Sequence, residues 1–351
     1  MRGASAELAA GRRLSVIVPA RNEQDCVREC LRSLVEQEED GWMLGREWEI
    51  LLVDDHSTDE TRKIAESIAG VTVMPAPKLE KGWTGKANAA WAGAQAAKGA
   101  WLLFTDADTV HEAGSASRAI VEAERHEAAM LSYSPRQIVK GFWQRALMPL
   151  VFSELAVTYP PAKVSDPESR LAAANGQFLL VRRDVYFANG GHEAVKDAVL
   201  EDVELARAVK RRKQGLRFRY APEAAAARMY RSLGAMVEGW TKNLALLFGN
   251  TLAMAAWRVL DLVLLVGLPL LAWWTYGHTR YAVLWVALLL IWARTLWRFY
   301  SRARKSNFPF VDCLVSPVAL PLFAALLYRS WFQHTVVKRV SWKGREYAGG
   351  R

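Results

Sequence analysis

The tripeptide Asp106-Ala107-Asp108 is the strongest chemical signal in the sequence. It directly follows Trp101 to Phe104 and Thr105, an apolar run that predicts a buried strand. Two carboxylates separated by one residue can approach the same cation. Hard oxygen ligands suit Mg²⁺ or Mn²⁺, which bridge protein carboxylates to substrate phosphates and offset charge on a departing diphosphate. The tripeptide is common by chance, so its position at a strand end is what predicts a metal–diphosphate site.

A second acidic pair, Asp54-Asp55, follows the apolar run Trp48 to Val53. A carboxylate can accept the imide N–H of uracil, so the pair predicts a site for a uridine nucleotide. Asp and Ser after a strand are also typical of turns and helix caps. We expect Asp54 to fill that turn role and Asp55 to contact the base.

A glycine-punctuated loop, Gly82-Trp83-Thr84-Gly85-Lys86, leads into an Ala-rich helix. Backbone N–H groups at a helix start favour phosphate, and Lys86 adds a positive charge. The spacing is not that of a Walker motif, and a simple surface turn is the alternative.

Glu201-Asp202 stands at the start of a predicted helix, downstream of a tight turn that ends in His192. One carboxylate there could act as a general base for an acceptor hydroxyl, which typically contributes about 10²–10⁴-fold to the rate. Favourable placement of acids at a helix N-terminus is the alternative. His192 could contact the acceptor or the diphosphate, or could only cap the turn.

Trp240 and Lys242 precede the apolar C-terminal third. Lys242 could reach the diphosphate from the membrane side, and Trp240 could wall the acceptor site. The alternative is an amphipathic interfacial helix with basic and aromatic anchors.

Strand and helix patterns alternate up to Asp108, which predicts a doubly wound, mostly parallel α/β sheet with ligands at the carboxyl ends of its strands. A mixed pattern follows, and the aromatic stretch 143–159 is left unassigned. The predicted strands are 14–19, 48–53, 71–74, 101–104, 128–133, 177–181 and 217–220, and the predicted helices are 24–37, 86–98 and 201–213.

The composition places a membrane beside this domain. The 351 residues are 52% hydrophobic and carry a formal net charge of +10. A basic balance suits nucleic acid, a nucleotide or an anionic membrane surface. The apolar C-terminal third favours the membrane, and neither a zinc-type cysteine pairing nor a helix-turn-helix pattern favours nucleic acid. Three sparse cysteines are not a disulfide framework, which indicates a reducing compartment.

Two apolar runs, Val259–Tyr276 and Tyr281–Phe299, have the length of membrane spans. Arg302, Arg304 and Lys305 follow the second and predict a cytoplasmic loop. The third run, 311–332, contains two prolines. It re-enters the membrane if the basic tail is also cytoplasmic, and it crosses fully if the tail lies outside.

The first 13 residues lack the apolar core of a signal peptide, so the catalytic part is expected in the cytoplasm, on a multi-pass protein of the inner membrane. The expected organisation is a flexible N-terminus at 1–13, a catalytic domain at 14–250, spanning or re-entrant helices at 251–333 and a basic cytoplasmic tail at 334–351.

Four motifs together resemble glycosyltransferase family 2, which has the GT-A fold: VIVPARNE (16–23), LLVDDHSTDET (51–61), FTDADT (104–109) and LEDVELA (200–206). The resemblance covers about 14–250. It implies the following roles: Pro19, Ala20, Arg21, Glu23 and Asp55 at the uridine, Lys86 at the phosphates, Asp106 and Asp108 at the diphosphate and metal, and Asp202 as the base with Glu201 beside it.

Four further stretches, at 82–93, 188–195, 227–244 and 340–347, look like the carotenoid glycosyltransferases acting on diaponeurosporenoate and related hopanoid-associated enzymes. Those enzymes often begin with a membrane helix, and this chain does not. Processive members of the wider family carry Q-x-x-R-W, whereas residues 238–242 read Glu-Gly-Trp-Thr-Lys, which favours transfer of a single sugar.

The resemblance implies inverting transfer from a UDP-sugar to a hydroxyl or carboxylate of a membrane lipid, with Mg²⁺ or Mn²⁺. Transfer to a polyprenyl phosphate carrier and a non-catalytic scaffold with a degenerate nucleotide pocket are the alternatives. The sugar, the acceptor and the oligomeric state stay open.

Overall fold

A seven-stranded sheet organises the N-terminal part of the protein. The computed structural model describes residues 12–37, 41–276, 282–342 and 345–348. The strands in these ranges are β1 Leu14–Ala20, β2 Trp48–Asp54, β3 Val71–Pro75, β4 Trp101–Phe104, β5 Thr109–His111, β6 Met130–Ser134, β7 Arg136–Gln137, β8 Leu179–Arg182, β9 Leu216–Tyr220, β10 Ala225–Ala227, β11 Arg339–Trp342 and β12 Arg345–Ala348.

The large sheet has the order β3-β2-β1-β4-β8-β6-β9. Its strands are parallel except β8, which runs antiparallel to both neighbours, β4 and β6. A second sheet joins β5, β10 and β7, and β11 pairs with β12. The predicted mostly parallel α/β fold is confirmed.

The three helices predicted at 24–37, 86–98 and 201–213 are present with slightly shorter bounds, and the structure adds helices that the sequence did not predict. The α-helices of the described ranges are α1 Val27–Val35, α2 Thr61–Glu66, α3 Gly85–Ala96, α4 Ser115–Arg125, α5 Phe142–Thr158, α6 Pro161–Ser165, α7 Arg183–Ala188, α8 Glu201–Arg211, α9 Leu233–Leu247, α10 Thr251–Thr275, α11 Ala282–Ala303, α12 Phe310–Val315 and α13 Leu320–Phe332.

The core lies against the central strands β1, β2 and β4. Leu14, Ile50 and Leu103 are fully buried, as continuous apolar runs in a covered parallel sheet require. Helix α3 sits close to β1 because Gly93 faces it: a Cβ on Gly93 would lie 2.6 Å from Ile17 Cγ2. This close approach fixes the start of α3, and hence Lys86, at the edge of the sheet.

Contacts divide the chain into two compact units. The first runs to Ile138 and resumes at Pro161–Met229, and the second comprises Val139–Pro160 and the residues from Tyr230 onward. The stretch that the sequence left unassigned is the helix α5, which belongs to the second unit. Most of the predicted flexible N-terminus lies outside the described residues. Tyr281 of the second predicted span and Lys343 of the predicted tail also lie outside them.

Among its described residues, the second unit contains three helices that are long and apolar enough to cross a membrane: Thr251–Thr275, Val283–Ser306 and Phe310–Val337. The third is not one regular α-helix. A 3₁₀ turn at Ser316–Ala319 separates α12 from α13. Pro317 lies in the first turn of that 3₁₀ segment, and Pro321 lies in the first turn of α13. Proline is tolerated there because those N–H groups have no partner within the helix.

Candidate active site

The acidic residues singled out from the sequence meet at one edge of the large sheet. In the register of the strands, Ala20 lies beside Asp54 and Ile17 lies beside Phe104. The backbone N–H of Asp55 donates to the carbonyl of Ala20 at 2.8 Å. The carboxyl ends of β1, β2 and β4 therefore bring Asp54, Asp55 and Asp106 to the same edge, as the strand order predicted.

The loops that follow β1 and β2 are tied together by backbone-to-side-chain hydrogen bonds. The N–H of Asn22 donates to Ser57 Oγ at 3.1 Å, and the N–H of Glu23 donates to Thr61 Oγ1 at 2.7 Å. In return, the N–H of Thr58 donates to Asn22 Oδ1 at 2.9 Å. Sequence patterns did not reveal this interlock, which holds the predicted uridine loop in one shape.

Asp54 and Asp55 are both buried but have different partners. Asp54 Oδ1 accepts the N–H of Ser57 at 3.3 Å, which is the turn role expected for it. Arg21 places Nη1 3.8 Å from Asp55 Oδ2 and donates to the Asp55 carbonyl at 3.2 Å. Pro19 and Ala20 are the last two residues of β1.

The side chains of Asp106 and Asp108 are partly exposed, whereas Ala107 between them is buried. The turn after β4, closed by the N–H of Thr109 donating to the Asp106 carbonyl at 3.1 Å, leaves both carboxylates on the accessible side. The Asp108 carboxylate accepts from Thr109 Oγ1 at 3.3 Å, and its carbonyl accepts from the N–H of Arg228 at 3.4 Å.

Lys86 links two parts of the site that are far apart in the sequence. It lies in the first turn of α3, which Thr84 caps by accepting from the N–H of Ala87. Its Nζ is 2.7 Å from Asp106 Oδ1 and 2.9 Å from Glu201 Oε1. Partial burial would lower the pKa of Lys86, but the surrounding carboxylates outweigh that effect and raise the pKa well above its ordinary value. Lys86 is therefore a permanent cation between the two acidic groups.

Glu201 and Asp202 are adjacent in the sequence but have opposite electrostatics. Burial alone would raise the pKa of Glu201, but the ion pair with Lys86 outweighs it and lowers the pKa. For Asp202, burial and the charge of Glu201 raise the pKa to about 7. Asp202 is held in place by the N–H of Val203, which donates to Oδ1 at 2.8 Å. Carboxyl groups with pKa values pushed apart in this way are typical of acid–base sites.

Gly176 is a site residue that the sequence did not reveal. Its N–H donates to Asp202 Oδ2 at 2.7 Å. A Cβ at this position would lie 2.9 Å from Lys86 Nζ and 3.5 Å from Asp202 Oδ2, so only glycine leaves the present arrangement undisturbed. It reaches this edge because β8 is antiparallel, which puts the residues before its start beside the carboxyl end of β4.

His192 lies buried near this group rather than on its surface. Its Nδ1 is 2.7 Å from the Tyr186 hydroxyl, and that hydroxyl also accepts the backbone N–H of His192 at 3.0 Å. The ring meets Phe104 edge-on. Burial, aided by Lys86 and opposed by Glu201, lowers the pKa of His192 to about 4. The ring is therefore neutral at pH 7, and the predicted substrate contact remains a prediction.

Trp240 and Lys242 both lie on α9 of the second unit. Trp240 is buried against Phe152 and Tyr230 and donates from Nε1 to Met148 Sδ at 3.4 Å. The Lys242 carbonyl lies 2.9 Å from His334 Nε2. Their roles at a nucleotide-sugar site remain predictions.

The donor set at the sheet edge fits a divalent cation that is shared with a substrate. Within the described ranges, no cluster of three or more His, Cys, Asp or Glu side chains is arranged to hold a metal by itself. Asp106 and Asp108 offer two partly exposed hard oxygen ligand groups. One or two carboxylates completed by substrate phosphates are the usual arrangement for Mg²⁺.

This sheet order, with an aspartate pair after the central strand and a second acidic pair at a helix start on the same edge, is that of a GT-A-like glycosyltransferase domain. Comparison with known proteins gives the same class: residues 15–187 match the model of the family described as Glycosyl transferase family 2. That part of the chain belongs to glycosyl transferase family 2, and the protein is a glycosyltransferase.

The chain is also similar along most of its length to one characterised enzyme. It is 25% identical over 348 residues to 4,4'-diaponeurosporenoate glycosyltransferase of Staphylococcus aureus, covering 95% of this chain and 88% of the relative. Among solved structures, a mannosyltransferase from Pyrobaculum calidifontis in complex with GDP-mannose and Mn²⁺ is 17% identical, with 94% and 89% of the chains covered and a TM-score of 0.47. Glucosyl-3-phosphoglycerate synthase from Mycobacterium tuberculosis is 18% identical, with 69% and 80% covered and a TM-score of 0.45.

Proposed function

We propose that the protein transfers one sugar, with inversion, from a UDP-sugar to a lipid acceptor at the cytoplasmic face of a membrane, with the help of a divalent cation. The observation that carries this proposal is the bridge made by Lys86, which joins Asp106 to Glu201 at 2.7 and 2.9 Å and so sets Asp202 beside the predicted diphosphate site. A direct displacement at a sugar carbon needs a base near the acceptor, on the face of the sugar opposite the leaving diphosphate, and Asp202 is the group proposed for that place.

The reaction follows from the roles these residues can play. The acceptor hydroxyl attacks the anomeric carbon while its proton passes to Asp202, and the bond from that carbon to the UDP oxygen breaks. A single displacement of this kind inverts the anomeric centre. Glu201 fixes Lys86, and Lys86 places its positive charge where the diphosphate leaves. Gly176 and Val203 orient the Asp202 carboxylate through their N–H groups.

The two carboxylates of Asp106 and Asp108 would hold the cation. A divalent ion there supplies charge neutralisation for the departing diphosphate. The buried Asp55, its partly exposed partner Arg21 and the interlocked loops after β1 and β2 would hold the uridine, with Asp55 as the group that accepts from the base.

The choice of donor and acceptor rests on two supports. The uracil-accepting chemistry of Asp55 favours a UDP-sugar. The similarity to an enzyme named for diaponeurosporenoate, together with helices able to cross a membrane, favours a terpenoid or other lipid hydroxyl or carboxylate as acceptor.

A transfer assay tests the proposal. The full-length protein in lipid nanodiscs is incubated with Mn²⁺ or Mg²⁺ and radiolabelled sugar nucleotides, with a hydroxylated terpenoid, a carotenoid carboxylic acid or a polyprenyl phosphate as acceptor. We expect one labelled sugar per lipid from a UDP-sugar and a hydroxyl or carboxylate acceptor. Label from none of the UDP-sugars, or label only on polyprenyl phosphate, would contradict the proposal.

The pH dependence of the transfer should report on Asp202. Because burial and Glu201 raise the pKa of this carboxyl to about 7, it is protonated below that pH and cannot accept a proton. With a hydroxyl acceptor, kcat is expected to rise about tenfold per pH unit below 7 and to level off above it. With a carboxylate acceptor, which is already ionised, this limb should disappear. A flat profile with a hydroxyl acceptor between pH 5 and 8 would exclude Asp202 as the base.

A further inference from the structure

Five charged residues of the second unit form what we call the arginine cluster: Glu154, Arg258, Asp261, Arg298 and Arg302. Glu154 is on α5, Arg258 and Asp261 are on α10, and the other two are on α11. Charged side chains are costly among membrane helices, where they generally mark a pair or a functional site. The cluster lies outside the catalytic unit, and the sugar transfer described above does not use it.

The members of the cluster are joined by ion pairs. Arg258 lies 2.7 Å from Glu154 through Nη1 and 3.1 Å from Asp261 through Nη2. Arg298 pairs with Asp261, and Arg302 pairs with Glu154. Each carboxylate is therefore contacted by two guanidinium groups, and both carboxylates are almost fully buried.

The charges of the cluster do not cancel. Three guanidinium groups face two carboxylates, which leaves one net positive charge. In addition, Arg258 Nε and Arg302 Nε are buried and have no hydrogen-bond partner among the described residues. Buried donors are nearly always satisfied in folded proteins. A bound anion would balance the excess positive charge and accept hydrogen bonds from the two unpartnered donors.

A cavity of about 40 Å³ lies within the cluster. It has room for about three water molecules or an oxyanion of similar size. Arg258, Arg298 and Arg302 line it together with Asp261, and Leu150, Ser153, Phe299 and Ala303 complete the lining. The forked donors of arginine match the oxygens of a phosphate group and bind it more specifically than a point charge does.

The cluster lies in the N-terminal half of α10 and near the C-terminal end of α11. From Arg258 to the end of α10 at Thr275 the chain advances about 26 Å at 1.5 Å per residue, close to the thickness of the hydrocarbon core. At this end of α11, Arg302 is followed by Arg304 and Lys305, two and three residues further on. If this apolar length crosses the bilayer, the cluster lies at the level of the lipid headgroups on the cytoplasmic side.

We propose that the arginine cluster binds the phosphate group of an anionic membrane lipid. Arg298 and Arg302 are the entry side of the site, because their side chains remain partly exposed, whereas Arg258 is its buried floor. The bound phosphate neutralises the excess charge and accepts from the two orphan donors. Free phosphate has the same chemistry, and the experiment separates the two sources.

Native mass spectrometry of the full-length protein, released from detergent micelles, measures the binding. The probes are phosphatidylglycerol, phosphatidylcholine and inorganic phosphate, each added alone. We expect retention of phosphatidylglycerol in preference to phosphatidylcholine. Arg298→Gln should weaken that binding by about tenfold, the usual effect of losing a charged hydrogen bond, and Arg298→Lys should restore part of it.

Two further variants make the test specific. Asp261→Asn raises the net charge of the cluster and should tighten phosphatidylglycerol binding several-fold, which no purely structural role predicts. Arg294→Gln removes the same charge one turn earlier on α11, outside the cluster, and should change the binding less than twofold.

Thermal unfolding in detergent checks that each variant is folded. Equal retention of phosphatidylglycerol by the native protein, Arg298→Gln and Asp261→Asn would overturn the proposal and leave the cluster as an internal salt-bridge network. Binding of inorganic phosphate with the same sensitivity to both variants, without preference for the lipid, would overturn the lipid assignment. None of these outcomes depends on sugar transfer, so they are independent of the proposed function.

Discussion

Replacing Asp202 by asparagine is expected to lower kcat for a hydroxyl acceptor by about 10²–10⁴-fold, while the KM for the sugar nucleotide changes little. The amide cannot take up the proton of the acceptor, but it keeps the size of the carboxyl and can still accept the N–H of Gly176 or Val203. Initial rates measured over a range of donor concentrations separate the two parameters.

The matched control is Asp197→Asn, an exposed aspartate five residues before Asp202, which should keep the native rate. Glu201→Gln should be intermediate, since it leaves Asp202 in place but weakens the anchoring of Lys86. A kcat for Asp202→Asn within threefold of the native value, with a hydroxyl acceptor, would remove Asp202 from the proposed mechanism.

Asp106→Asn and Asp108→Asn are expected to abolish metal-dependent binding of UDP and to lower turnover by about 10³-fold or more. Each substitution removes one of the two carboxylates proposed to hold the cation, and that cation contributes several kcal/mol to charge stabilisation at the diphosphate. Titration calorimetry with UDP, in the presence and absence of Mn²⁺, measures the loss directly.

Glu112→Gln, which removes an exposed carboxylate just beyond β5, is the control for a general change of charge. It should bind UDP and Mn²⁺ as the native protein does. If Asp106→Asn and Asp108→Asn keep native metal-dependent binding, the cation site is not at this pair, and the metal part of the mechanism is wrong.

The sequence predicted the fold well where strands and helices alternate regularly along the chain. Continuous apolar runs ending at Asp54 and Asp106 determined both the strands and the edge at which the acidic residues meet. These features are local, because the direction of a parallel strand follows from the helix that connects it to the next one.

The sequence failed where a contact depends on the direction or pairing of distant segments. No local pattern showed that β8 runs antiparallel, so Gly176 was not expected beside Asp202. The ion pair of Lys86 with Glu201 joins residues in two different helices, α3 and α8. Helix α5 was left unassigned because apolar and buried residues occur on all its sides, so no helical periodicity shows in the sequence. Pro149, inside the helix, also argues against a helix at the sequence level.

Charged residues within apolar segments were the signal that could have revealed the arginine cluster. Arg258 and Asp261 are three residues apart and therefore face the same way on a helix. Glu154, the other carboxylate that pairs with Arg258, lies about a hundred residues earlier, which is why the sequence alone could not complete the group.

The position of Lys86 also bears on the order in which ligands arrive. Its ammonium group serves as an internal counter-ion that lets Asp106 and Glu201 stand close together without a metal. A bare divalent cation must therefore compete with a covalently tethered positive charge for Asp106. A metal–nucleotide complex brings its own phosphates. Lys86 can form an ion pair with them after the cation displaces it from Asp106. The protein should thus take up metal and sugar nucleotide as one unit, with little affinity for the free ion.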